Sequence, residues 1–147
     1  MELVLWRHAD AEEGRDDAAR RLTPKGIRQA RRVAAWLDAR LSQEAHLLVS
    51  PAQRARQTAQ ALARALTISP AVNTDAQATD VLKAAGWPGA NGTVVVVGHQ
   101  PTLGAAAALA LTGTPTPWRL KKGGVWWISC DLDGARTVVA VIAPDLV

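Results

Sequence analysis

Leu3-Val4-Leu5-Trp6-Arg7-His8 and, ninety residues on, Val94-Val95-Val96-Val97-Gly98-His99 are the stretches on which the reading of the fold turns. Each is a short apolar run of the kind buried on both faces of a sheet, and each runs out into a histidine. If the two strands are parallel, both imidazoles arrive at one carboxyl edge, and open α/β sheets bind ligands there.

Working outward, Ile27, Ala30, Ala34, Leu37 and Leu41 recur at spacings of three and four, which predicts a helix over residues 24–41. Thr23 is its expected N-cap and Pro24 its first residue. Leu47-Leu48-Val49 reads as a buried strand stopped by Ser50-Pro51. A second helix starts at that stop, with Ala52, Ala55, Ala59, Leu62 and Leu66 on one face. A weaker helix is expected over 75–85, with Asp75 as its cap, and ends in Gly86-Trp87-Pro88-Gly89. After His99, Pro101 can start a helix and Gly113 can end one.

Strands alternating with helices predict a parallel sheet covered on both faces. The runs 125–132 and 137–142 are β-rich and meet at Asp133-Gly134, a hairpin signal. The expected fold is therefore α/β: a three-layer sandwich whose mainly parallel central sheet carries helices on both faces and a C-terminal antiparallel hairpin. At 147 residues the chain is expected to form a single domain over 1–147.

Apolar residues make up 48% of the chain and charged residues 20%, which is ordinary for a globule and excludes disorder as a default. The lone Cys130 has no internal partner, and no basic leader precedes the first strand, so a cytoplasmic location is expected. The apolar stretch 105–111 is far shorter than the about 20 residues a bilayer needs, so no membrane role is expected. The net charge of +4 raises nucleic acid as a partner. Against it, Arg20, Arg21, Arg28, Arg31, Arg32 and Arg40 read as a solvated face around a helix, and with no Phe or Tyr only tryptophans remain for base stacking.

Arg54 falls in the first turn of the second helix, where side chains lean back towards the sheet edge. The free N–H groups at that helix start also favour an anion. Taken singly, a histidine after a strand or an arginine at a helix start is more often structural. Arg7, His8, Arg54 and His99 converging on one edge is much harder to reach by accident. A metal is not expected at this site, because arginine cannot ligate and two of them repel a cation. Two arginines and two histidines suit an anion with several oxygens, and guanidinium forks match phosphate. There one neutral imidazole can attack phosphorus while the arginines neutralise the equatorial oxygens.

These residues resemble the histidine phosphatase superfamily, with strand-Arg-His at Leu5-Trp6-Arg7-His8-Ala9, then Ser50-Pro51-Ala52-Gln53-Arg54-Ala55-Arg56-Gln57-Thr58, and Gly-His at Gly98-His99. The short length, Arg-His-x-Asp-Ala and Leu22-Thr23-Pro24-Lys25-Gly26 are most similar to the SixA-type phosphohistidine phosphatases. The resemblance implies His8 as nucleophile, Arg7, Arg54 and His99 as catalytic phosphate-pocket residues with Ser50 beside them at the substrate, and no cofactor or metal. Thr23 and Gly26 belong to it too, read here as a helix cap and a close approach.

Two departures stand out. Ala9 replaces the usual glycine, and no Glu lies between Glu44 and the C-terminus where larger relatives carry a leaving-group acid. Asp75 and Asp10 are the candidates for that acid, while the charged run 12–17 reads as a solvated loop. An alkoxide needs a placed acid, worth about 10²–10⁴-fold. A phosphohistidine releases a neutral imidazole and does not. The implied partner is thus a phosphorylated protein carrying phosphohistidine, with a small phosphorylated metabolite, such as a sugar or nucleotide phosphate, as the alternative. A third reading is a phosphate-binding module without turnover.

Overall fold

The computed structural model describes residues 1–147. A six-stranded sheet runs in the order β3-β2-β4-β1-β5-β6. Its strands are β1 (Glu2–Arg7), β2 (His46–Val49), β3 (Thr67–Ile68), β4 (Thr93–Gly98), β5 (Val125–Cys130) and β6 (Arg136–Ile142). The helices are α1 (Pro24–Asp38), α2 (Gln53–Gln60), α3 (Ala78–Ala85) and α4 (Thr102–Thr112). β1 pairs parallel with β4, β4 with β2, and β2 with β3. β5 joins β1 antiparallel and carries β6 antiparallel beside it. The mixed sheet expected from the sequence is the one observed.

The period of two along each central strand divides the core in two. Leu3 and Leu5 of β1, with Val94 and Val96 of β4, pack beneath α3 and α4. Val4, Trp6, Val95 and Val97 point the other way, beneath α1 and α2. Arg7 stands opposite Gly98 in the β1–β4 register, so the next residue of each strand, His8 and His99, leaves the same edge.

Several boundaries differ from the sequence reading. α1 begins at Pro24 with Thr23 Oγ1 accepting from the Gly26 N–H at 3.0 Å, and it ends at Asp38 rather than Leu41. α2 stops at Gln60. Its final carbonyls are taken by a tightened turn from Thr58 to Ala63, and Ala63 reaches a left-handed φ of 51°, so Leu66 lies outside the helix. β3 was not expected; two exposed residues on an edge carry no periodicity to read. β5 ends at Cys130 because Asp131 N–H bonds to Ala135 O and Gly134, at φ 87°, turns the chain back.

α3 begins at Ala78, not Asp75. Asp75 is therefore not its cap: Asn73 opens a turn, its Oδ1 accepting from Thr74 N and its O from Ala76 N, and this turn takes up the residues before the helix. Asp80 closes the helix start instead, accepting from the Gln77 N–H at 2.8 Å.

Candidate active site

A polar cavity of about 330 Å³ lies at the carboxyl edge of β1 and β4, lined among others by Arg7, His8, Arg54, His99, Asp17 and Arg20. His8 and His99 face one another, with ring centroids 5.3 Å apart. The four residues that converged in the sequence share this one cavity.

His8 is fixed from both sides. Its backbone N–H bonds to Gly98 O at 3.0 Å and its carbonyl accepts from Gly123 N at 3.1 Å. The ring donates from Nδ1 to Ala9 O at 2.8 Å, since a carbonyl can only accept. That leaves Nε2 unprotonated, and it accepts from Arg54 Nε at 3.3 Å. Burial above all, with Arg54, Arg7 and Arg20 nearby, lowers the His8 pKa to about 4, against the push of the Ala9 bond. The imidazole is neutral at physiological pH, with its lone pair on the cavity side.

His99 is held differently. Nε2 meets Ser50 Oγ at 2.7 Å, and Nδ1 is buried without a partner. Burial, then the neighbouring His8 and Arg54, bring its pKa down to about 3. Ser50, expected at the substrate, is fully buried and absent from the cavity wall. It stands behind His99, accepting from Ala52 N at 3.2 Å and lying 3.4 Å from Asn73 Oδ1. Its place in the strand-to-helix turn after β2 makes it a support for the ring, not a contact for an anion.

Arg7 donates from Nη1 to Leu120 O at 2.8 Å, while its buried Nε has no partner. Arg54, on the first turn of α2, is buried. Its Nη1 donates to Asp17 O at 2.7 Å and its Nη2 to Asp17 Oδ2 at 3.1 Å. The run 12–17 is thus not merely a solvated loop. Asp17 had no periodic signal to mark it, although Asp17 and Arg20 stand three residues apart and pair at 3.1 Å.

The candidate acids stand away from that role. Asp10 accepts from Lys122 Nζ and Thr23 Oγ1, both at 2.8 Å, and these bonds lower its pKa, so it stays ionised. Asp75 is exposed and is not on the cavity wall. Glu13 is on the wall. No three side chains of His, Cys, Asp or Glu are grouped as a metal site would need.

Local packing explains the residues around His8. A Cβ on Gly26 would lie 1.9 Å from Asp10 O, so the α1 start can pass beneath the loop only as glycine. Ala9 needs no glycine: its φ is not positive, and its N–H bonds to Thr58 Oγ1 at 3.1 Å. Thr58 in turn donates to Arg54 O at 2.8 Å, tying α2 to the segment that follows β1.

Paired histidines and arginines around one polar cavity at the carboxyl edge of a mixed α/β sheet define the class: an α/β fold with a cationic, oxyanion-suited pocket beside a neutral imidazole. The profile of the histidine phosphatase superfamily (branch 1) matches residues 3–80, and the chain belongs to that superfamily. An uncharacterised protein of Picosynechococcus sp. is 38% identical over 136 residues, covering 85% of this chain and 82% of that protein. The structure of the protein histidine phosphatase SixA complexed with tungstate superposes with a TM-score of 0.80 at 23% identity, covering 99% of both chains. A phosphoserine phosphatase mutant from Entamoeba histolytica, in complex with phosphoserine, gives 0.73 at 18% identity over 97% of both. At these identities the two structural likenesses are ones of fold.

Proposed function

We propose that residues 1–147 act as one cytoplasmic, metal-independent phosphatase domain that removes phosphoryl groups from phosphohistidine on a partner protein, through a phosphohistidine intermediate on His8. The observation that carries this is the His8 ring itself, with Nδ1 committed to Ala9 O and Nε2 proton-free against Arg54. Nε2 attacks phosphorus, and the bond from phosphorus to the substrate nitrogen breaks. The leaving imidazole departs neutral, because its other ring nitrogen already carries a proton. Arg7 and Arg54 balance the charge on the equatorial oxygens, and the unpartnered Nδ1 of His99 is available to them. Water then attacks the phosphorylated His8, returning neutral imidazole and inorganic phosphate.

The choice of substrate rests on the carboxylates. Asp10 and Asp17 are both held ionised by cations that hydrogen-bond to them, so neither is a ready proton donor. That favours a leaving group needing no strong acid, and the fold shared with a protein histidine phosphatase supports a phosphorylated protein as the substrate; we place that protein in signal transduction. The test is phosphate release without added metal, from a phosphohistidine-carrying protein and from a panel of phosphate esters. Preference for the protein with loss of turnover in His8→Ala supports the reading; full activity in His8→Ala overturns it.

A small-molecule phosphomonoesterase is the second reading. It is favoured by Glu13, which lines the cavity and could protonate an alkoxide, and by the fold shared with a phosphoserine phosphatase. Strong preference for an ester in the same panel would select it.

A further inference from the structure

Arg54 carries five N–H donors in a planar fork, and three of them are engaged, by His8 Nε2, Asp17 O and Asp17 Oδ2. Two remain for a phosphoryl group. Asp17 makes a second bond on its other carboxylate oxygen, accepting from Arg20 Nη1 at 3.1 Å, while Arg20 Nε donates to Glu12 O at 2.7 Å. The chain His8, Arg54, Asp17, Arg20 is continuous, and all four residues line the cavity. Two guanidiniums this close to one another repel, and a carboxylate between them cancels that repulsion while leaving both forks with free donors.

We propose that Asp17 is a positioning residue that fixes Arg54 against His8 and delivers Arg20 into the cavity as a third guanidinium for the phosphoryl oxygens. The inference rests on reading His8 as the nucleophile, and extends that site by two residues. Asp17 belongs to the 3₁₀ turn Asp17–Ala19, which packs against α2 with its carboxylate facing the cavity, and its side chain is 57% exposed against 5% for Arg54. Exposure on the Asp17 side means that removing the carboxylate costs the core little. What it removes is orientation. Arg20 also holds a proton off His8 through its charge.

The experiment measures kcat and KM for p-nitrophenyl phosphate, inhibition by inorganic phosphate, and the pH–rate profile, in Asp17→Ala, Arg20→Ala and the double variant. Loss of a charge-assisted bond predicts that Asp17→Ala lowers kcat by about 10- to 100-fold. Arg20→Ala should weaken inhibition by phosphate about tenfold with a smaller change in kcat, and move the acid limb of kcat/KM upward. Because Asp17 acts in part through Arg20, the double variant should lose less than the product of the two. A purely structural role would shift neither the pH limb nor phosphate affinity.

Tighter phosphate binding in Asp17→Ala overturns the proposal, since Asp17 would then be a competitor for Arg54. Wild-type kinetics in both single variants, with His8→Ala inactive in the same assay, overturns it while leaving the nucleophile in place. Activity retained in His8→Ala would instead remove the reading beneath it. Asp17→Asn and Arg20→Gln give the same decisions if either alanine variant fails to fold.

Discussion

At the end of β1, His8 gives its Nδ1 proton to a backbone carbonyl at 2.8 Å; one strand away, at the end of β4, His99 meets a serine hydroxyl at 2.7 Å. A carbonyl only accepts, so the His8 tautomer is locked with Nε2 as the lone pair. A hydroxyl both donates and accepts, so Ser50 lets His99 put its proton on either nitrogen. When Ser50 donates to Nε2, the unpartnered Nδ1 carries the N–H that an anion oxygen would take. When Ser50 turns towards Asn73 Oδ1, the proton moves to Nε2. Two histidines from equivalent strand ends are thus made into an obligate acceptor and an adaptable donor by what stands behind each ring.

The comparison breaks most visibly at the locked ring. His8→Ala is expected to lower phosphate release by about 10⁴-fold or more, and single-turnover labelling should find no phosphoenzyme. His99→Ala keeps His8 and loses a donor, so on the proposed mechanism kcat should fall by about 10²–10³-fold while the protein still labels. Equal losses in the two variants would erase the distinction between the rings. Ser50→Ala removes only the adaptable partner, and about a tenfold loss in kcat is expected, with His99→Ala in the Ser50→Ala background adding no more than His99→Ala alone.

Stability supplies two smaller tests. Thr58→Val leaves the Ala9 N–H buried without its acceptor, and chemical denaturation should show a loss of about 1–3 kcal/mol. The second concerns pH. Both histidines titrate far lower in the folded chain, at about 4 for His8 and about 3 for His99, than the ordinary value of 6.5. Between 6.5 and 4 the unfolded chain therefore binds protons that the native chain refuses. Stability contributed by these groups is level above about pH 6.5 and falls as pH drops towards 4, by at most about 1.4 kcal/mol per unit for each ring. His99→Asn should halve that slope in denaturation midpoints measured from pH 7 to 4.5.

The apolar runs before His8 and His99 were legible because a strand buried on both faces leaves a continuous hydrophobic signature, and the helix caps at Thr23 and Gly113 because capping is chemistry between near neighbours. Asp75 was misread for a related reason: cap preference is weak where a nearby Asn73 turn competes for the same backbone. Asp17 and Ser50 were illegible in their true roles. Their partners, Arg54 and His99, lie 37 and 49 residues away, and no local spacing encodes a hydrogen bond across that distance.

By itself, the sequence determined which residue types stand at the strand ends and helix starts, because burial periodicity, capping and turn chemistry act over a few residues. That was enough for the α/β architecture, the anion-binding character of the edge and the family. Only the tertiary structure decided which nitrogen of each histidine is free, which carboxylates are pinned by cations and which guanidiniums share the cavity. Proton positions and charge follow from burial and from hydrogen-bond partners, and these exist only once distant segments are packed together.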